Sequence, residues 1–376
     1  MTVGMPTNMR VLLHQLHSDF KEASVQWTVR GETNYMLSGD RESVDEAVRY
    51  CAGYIRRSSS PAKESVTIRG VKDDGRIANV LSEHSLLARG IDDSSLRLLC
   101  QSTGDDILCI RYNRSHFYDL TVISPDAIWV AAASTDGPPL YLSLVRALRN
   151  HNACQCLDNG ELFIHGAAVE IGGFGTLLLG DRRAGKTTQL CELLTQHGAK
   201  FISNDRVFLS DKGRLSGAPV SVNLRKPTID YFAQYQLGST FSDIHTIGSS
   251  RMNGDVSLSV PDFTERLGCG LVPHSELRSI VILEHDPETR GVRIERLTND
   301  SLRDAVLEQQ FPHVDKSQPF YKPRTERAKG CGFLEGVSGW RIRAGARTIS
   351  DTGAAIASIG ETSARNTTWT EVVLNA

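Results

Sequence analysis

The sequence predicts an α/β protein in two parts: a separate mixed α+β domain over residues 1–150, then a mixed sheet packed with helices over residues 151–376. Three observations predict it. At 376 residues the chain is too long for one ordinary small domain, and a 40% hydrophobic content supplies enough apolar mass for two cores. The pattern changes near residue 155, from short apolar runs broken by turns to an ordered succession of strand, loop, helix and strand. The loop in that succession, Gly180-Asp181-Arg182-Arg183-Ala184-Gly185-Lys186-Thr187-Thr188, matches G-x-x-x-x-G-K-[ST] at every fixed position.

In the first part, strands are expected at Ser65–Ile68, Ile107–Ile110, Leu120–Ile123 and Ala127–Val130, where β-branched and aliphatic residues run together. Ser124-Pro125-Asp126 is a turn, so the last two strands form an antiparallel hairpin. Arg56 to Pro61 reads as a polar loop. Pro138-Pro139 starts a helix whose apolar set is Leu140, Leu142, Leu144, Val145 and Leu148. No repeat is visible. These residues carry no recognisable chemistry of their own, which leaves them the role of a substrate- or partner-binding domain.

In the second part, Glu161 to Glu170 reads as one strand ending in a Gly172-Gly173 turn, and Gly175 to Leu179 as the strand that feeds the loop. The helix after the loop stops at Gly198, a residue suited to the left-handed position past a helix end. Lys200-Phe201-Ile202 and Val207-Phe208-Leu209 follow as strands, with a turn at Asp211-Lys212-Gly213. Ser279 to Leu283 is a buried strand, and Ser301 opens a capped helix running through Leu307. Ser239–Ser257 and Asp315–Gly330 read as loose surface segments, open to a role near a substrate.

Composition excludes several classes. The net charge is −2 and no long basic tract occurs, which argues against nucleic acid as the main partner, since neutralising phosphates takes clustered Lys and Arg. The eight cysteines are scattered, with Cys154 and Cys156 the only close pair and no second pair at zinc spacing, so free thiols in a reducing compartment are expected. The residues Met1 to Met5 lack the basic and apolar blocks of a signal peptide, and no apolar run reaches the ~20 residues of a membrane span. A cytoplasmic setting follows.

The loop motif carries the chemistry. Its backbone N–H groups turn inward as an anion nest, and the following helix adds partial positive charge at its N-terminus. Lys186 would reach the β- and γ-phosphates of ATP, and the Thr187 hydroxyl would hold Mg²⁺. An accidental Gly/Lys-rich turn is the bland alternative, and the strand before and helix after weigh against it. Three neighbours narrow the class. His165 sits on the preceding strand, at the phosphate end if a Gly-Gly turn joins the two strands; a satisfied core histidine is the competing reading. Asp205 follows the next strand, where an acid can bind Mg²⁺ or take a proton; an ordinary turn aspartate competes. Arg225, in Asn223-Leu224-Arg225-Lys226-Pro227, offers a cation to phosphate; a solvated face competes.

Taken together, Ile164-His165-Gly166-Ala167-Ala168-Val169, the loop Gly180–Thr188 and Ile202-Ser203-Asn204-Asp205-Arg206-Val207 resemble the HPr kinase/phosphorylase superfamily and its relatives near ATP-dependent phosphoenolpyruvate carboxykinase. The resemblance covers residues 140–290. It implies a mixed-sheet core of the HPr kinase type, His165 as the site histidine, Lys186 and Thr187 as the loop residues and Asp205 as the second acid of a pair. It also raises the expectation of a homo-oligomer. Two departures stand out: Asn204 replaces the first acid, and Arg182-Arg183 stand where small or polar residues are usual. The expected activity is a kinase acting on a hydroxyl of a small molecule, amino acid or peptide. Asp181, Arg182, Arg183, Ala184, Gly185 and Thr188 join Gly180 in the nucleotide cradle, Thr187 and Asp205 hold the metal, and His165 hydrogen-bonds near Asp205 to tune it. A regulatory nucleotide-binding protein is the second reading, supported by Asn204. An RNA ribose kinase is the third, and the near-neutral charge argues against it.

Overall fold

A computed structural model of the chain describes residues 9–18, 22–29, 33–57, 65–83, 97–103, 106–113, 116–133, 139–235, 249–250, 254–286, 288–310, 334–345 and 348–364. The fold is mixed α/β. Described residues up to Gln155 form one compact unit and those from Cys156 onward a second, so helix α4 below runs across residue 150. No helix among the described residues is long and apolar enough to cross a membrane.

The first unit runs α1 (Met9–Ser18), β1 (Glu22–Val29), β2 (Thr33–Asp40), α2 (Arg41–Tyr50), β3 (Ile55–Arg57), β4 (Ser65–Asp73), α3 (Arg76–Glu83), β5 (Arg97–Thr103), β6 (Asp106–Asn113), β7 (His116–Ile123), β8 (Ile128–Ala133) and α4 (Leu140–Asp158). Its described strands form one sheet in the order β3-β1-β2-β4-β8-β7-β6-β5. The central pairs β2–β4 and β4–β8 are parallel. The physical reason lies in strand alternation. Ile128, Val130 and Ala132 of β8 join a core with Val44 and Ala47 of α2 and Leu144 of α4. Trp129 and Ala131, between them, join Met9, Leu13 and Leu16 of α1 in another. A strand covered by helices on both faces needs no polar side, which is why β8 reads as an unbroken apolar run. The expected hairpin is present, with β7 and β8 antiparallel through Ile123 and Ile128. Of the polar loop expected from Arg56 to Pro61, residues 58–61 lie outside the described residues. Arg56 and Arg57 belong to β3 and pair with Thr28 and Trp27.

The second unit runs β9 (Leu162–Ile164), β10 (Ala167–Ile171), β11 (Phe174–Leu179), α5 (Lys186–Gln196), β12 (Lys200–Ser203), β13 (Val207–Leu209), β14 (Arg214–Gly217), β15 (Val222–Leu224), α6 (Lys226–Tyr235), β16 (Ser249–Ser250), β17 (Val256–Leu258), α7 (Val260–Leu267), β18 (His274–His285), β19 (Val292–Arg296), α8 (Asn299–Glu308), β20 (Ser338–Ala344) and α9 (Ile349–Ala364). Strand β18 is the spine. Its first residues pair antiparallel with β14, and its later residues lie parallel to β11 and to β20. Ile164, Leu177, Leu179, Ile280 and Ile282 form a core that α8 closes with Leu302 and Val306.

The single strand expected over Glu161–Glu170 is two strands. β9 pairs with β13, whereas β10 pairs with β11 and β12. The chain changes partners at His165-Gly166. It does so again between β12 and β13, at Asn204-Asp205-Arg206. A Cβ at Gly166 would stand 2.9 Å from the Leu178 carbonyl oxygen, so only glycine lets the first corner lie against β11. The second unit also corrects the helix expected from Ser301. It begins at Asn299, because the cap is the Thr298 hydroxyl, which accepts from Ser301 N. Of the segment expected to be loose over Ser239–Ser257, Ser249–Ser250 and Val256–Leu258 are paired strands, while residues 236–248 and 251–253 lie outside the described residues. So does all of Asp315–Gly330.

Candidate functional site

The loop between β11 and α5 has backbone geometry that its glycines permit and other residues would not. Gly180 has φ +138°, and a Cβ placed there would lie 2.4 Å from the carbonyl oxygen of Leu283 on β18. Gly185, at φ +93°, is the N-cap of α5 and offers no side chain to its first turn. The free N–H groups of that turn are left to an anion. Gly180→Ala combines a backbone clash with a disfavoured φ, so a loss of about 3 kcal/mol is expected, read as a lower urea midpoint at unchanged slope. A stability equal to that of the unsubstituted chain would show that Leu283 moves aside freely.

Lys186 is 8% exposed, and its ammonium donates to the carbonyl oxygens of Gly180 at 2.6 Å and Asp181 at 3.1 Å. Burial lowers its pKa, opposed by the negative charges of Asp205 and Asp181. The Thr187 hydroxyl donates to Asn204 Oδ1 at 3.2 Å. That bond takes up the hydroxyl proton and leaves the oxygen lone pairs for a cation. Asn204 is 2% exposed, and its Nδ2 has no hydrogen-bond partner among the described residues. The departure from an acidic pair therefore has a local use: an amide oxygen orients Thr187 without adding charge.

Asp205 has φ +64°, one of two non-glycine residues with positive φ among the described residues; the other is Arg183 of the loop. Arg206 N donates to Asn204 O at 2.8 Å across it, and the Ser203 hydroxyl donates to Arg206 O. The three-residue turn is tight and strained, and Asp is among the few residues that tolerate it. Strain of this kind gathers at functional sites. The turn presents the Asp205 carboxylate 3.9 Å from His165 Nε2. At that distance the two stand within electrostatic reach and make no direct hydrogen bond to each other. Their side chains are 40% and 36% exposed, open enough for a ligand to reach. The His165 pKa is lowered by burial and by the Lys186 charge, with Asp205 opposing. His165, Lys186 and Asp205 therefore stand in one electrostatic neighbourhood.

Thr188 is joined to Thr228 on the first turn of α6, hydroxyl to hydroxyl at 2.9 Å. Arg225 precedes that helix and is exposed. Lys226 N donates to Asp255 Oδ1, so a carboxylate already caps the helix start. Asp181, Arg182 and Arg183 are likewise exposed on the loop, while Ala184 is half-buried. Among the described residues, no group of three or more His, Cys, Asp or Glu gathers as a metal cage. Mg²⁺ needs none, because one carboxylate with phosphate oxygens and waters is enough, and Thr187 with Asp205 fit that requirement.

A cleft of about 510 Å³ opens against the first half of the loop, walled by Gly180 and Asp181 on one side and by Glu284, Glu308, Gln309 and Arg341 on the other. These last four were missed in the sequence. The available signal was positional: Glu284 follows the apolar run Ile280-Val281-Ile282-Leu283 near the carboxyl end of β18, and ligands in such sheets bind beyond the carboxyl ends of parallel strands.

No family model and no curated protein sequence matches the chain. Among solved structures the chain is similar to the Hpr(Ser) kinase/phosphatase from Coxiella burnetii, at 15% identity over 54% of this chain and 94% of that one, with a TM-score of 0.26. At that distance, the functional reading rests on the geometry of the site.

Proposed function

We propose that the chain is a Mg²⁺-dependent kinase that moves the γ-phosphoryl group of ATP onto a hydroxyl of a small molecule, amino acid or peptide. The observation that carries this reading is the strained turn that presents Asp205 beside His165 and within the electrostatic reach of Lys186. A protein that only cradled phosphate would have no need for an exposed carboxylate held there at a conformational cost.

In this reading the loop amides of residues 181–187 other than Ala184, whose N–H is bonded to Asp181 O, bind the phosphates, and Lys186 neutralises charge growing on the transferred group. The acceptor oxygen bonds to the γ-phosphorus, the bond to the β–γ bridging oxygen breaks, and ADP leaves. Asp205 receives the acceptor's proton as that bond forms. His165, kept neutral by burial and by Lys186, orients the acceptor beside the acid. Bound magnesium would supply positive charge to offset that of the phosphates. Thr187, with its proton held by Asn204, and Asp205 are the residues to hold it.

The second reading is a nucleotide sensor, favoured by the missing acid at Asn204. Incubation with γ-labelled ATP, Mg²⁺ and a pool of metabolites and peptides separates the two. Transfer of label to a low-mass acceptor is expected; saturable ATP binding with no labelled product would establish the sensor.

A further inference from the structure

We infer that the cleft beside the first half of the loop is the acceptor subsite, and that it takes a metabolite-sized polar hydroxyl compound bearing charged groups. The inference rests on the kinase reading above and deepens it. Lys186 marks the end of the loop where the β- and γ-phosphates belong, and its ammonium sits on the carbonyls of Gly180 and Asp181. Those two residues wall the cleft together with Arg182, Arg183 and Ala184, so the cleft opens along the first half of the loop, on the side of the carbonyls that hold Lys186. The far wall is tied to the acid–histidine pair through the backbone: His165 N donates to the carbonyl oxygen of Gln309, and Gln309 lines the cleft. Asp205 and His165 do not line the cleft themselves; that one backbone bond sets His165 directly behind its wall, so the body of the acceptor sits in the cleft and its hydroxyl at the edge nearest His165.

The chemistry of the wall selects the ligand class. Glu284 is held from two sides, by Arg341 Nε at 2.8 Å and by Arg343 Nε at 2.6 Å, and Arg341 also reaches Glu295 at 3.3 Å. This lattice fixes carboxylate and guanidinium groups in place before any ligand arrives. An apolar occupant would strip water from those groups and return no hydrogen bonds. A compound with hydroxyl, carboxylate or ammonium groups replaces the water it displaces. Size points the same way. About 510 Å³ is the volume of a metabolite pocket. A folded protein acceptor would instead need a broad surface of roughly 800 Å² per partner.

The test uses the full chain, γ-labelled ATP and a cell extract divided by ultrafiltration into low-mass and protein fractions. Two variants fill the cleft: Ala305→Trp on the inner side of α8, and Glu308→Arg at the exposed end of the same helix, which serves if the first fails to fold. Label is expected in the low-mass fraction, and either variant should cut it about 10²-fold while ATP affinity, read by fluorescence with a nucleotide analogue, stays unchanged. Label confined to the protein fraction, or variants that label the low-mass compound at the unsubstituted rate, would overturn the acceptor subsite and leave the kinase reading standing. Label in neither fraction would remove the kinase reading itself.

Discussion

Lys186→Ala is expected to lower phosphoryl transfer by about 10³-fold and to weaken nucleotide binding with it. The ammonium is the one cation among the described residues that is both buried in the loop and held by loop carbonyls. No neighbour is placed to substitute: Arg182 and Arg183 are exposed, and Arg183 sits at φ +75°. The same variant has a signature that a general loss of structure would not produce. Lys186 is the second cause, after burial, of the lowered His165 pKa. Its removal should raise the titration of His165 toward the ordinary imidazole value, measured by NMR, while burial keeps it below that value. The linkage to stability has a definite sign. A histidine whose folded pKa lies below its unfolded one contributes fully above the ordinary value of 6.5 and loses that contribution as pH falls from there through the lowered folded value. Acid sensitivity from this group should therefore lessen in the variant. Transfer at the unsubstituted rate would show that Lys186 is a structural lysine.

Asp205→Asn is expected to remove turnover by about 10²–10⁴-fold and to leave ATP binding in place, because the substitution keeps shape and the tolerance for positive φ while removing the proton acceptor. Equilibrium binding and single-turnover transfer measured together separate the two effects. The His165 titration should move opposite to the lysine case. Asp205 raises it, so its loss lowers it further. Full turnover in this variant would assign proton handling elsewhere and return the carboxylate to a turn residue.

Much of this could be read from the chain. The loop motif is a local feature whose flanking strand and helix announce themselves by period, and β7, β8, α4, β11, α5 and β13 stand where the apolar runs placed them. The misreadings share a physical cause. Leu162-Phe163-Ile164 and Ala167-Ala168-Val169 are apolar on both sides of His165-Gly166, and a change of partner strand leaves no mark on hydrophobicity. Asn204 looked like a defect because a missing charge is visible in sequence, whereas the hydroxyl it holds comes from 17 residues away. Glu284 and Arg341 gave no motif because they meet only through the parallel pairing of β18 with β20. Helix and turn chemistry is local and legible; chemistry assembled across a sheet is not.

His165 and Asp205 stand at the two corners where the chain changes partner strands, and β18 joins β11 on one side to β14 on the other within a single nine-stranded sheet. Histidine, carboxylate and loop are thus bolted to one frame when the chain first folds. If the kinase reading holds, such a frame should lose its rate constant and its cooperative melting together, with no temperature range in which an intact fold goes with a slackened site.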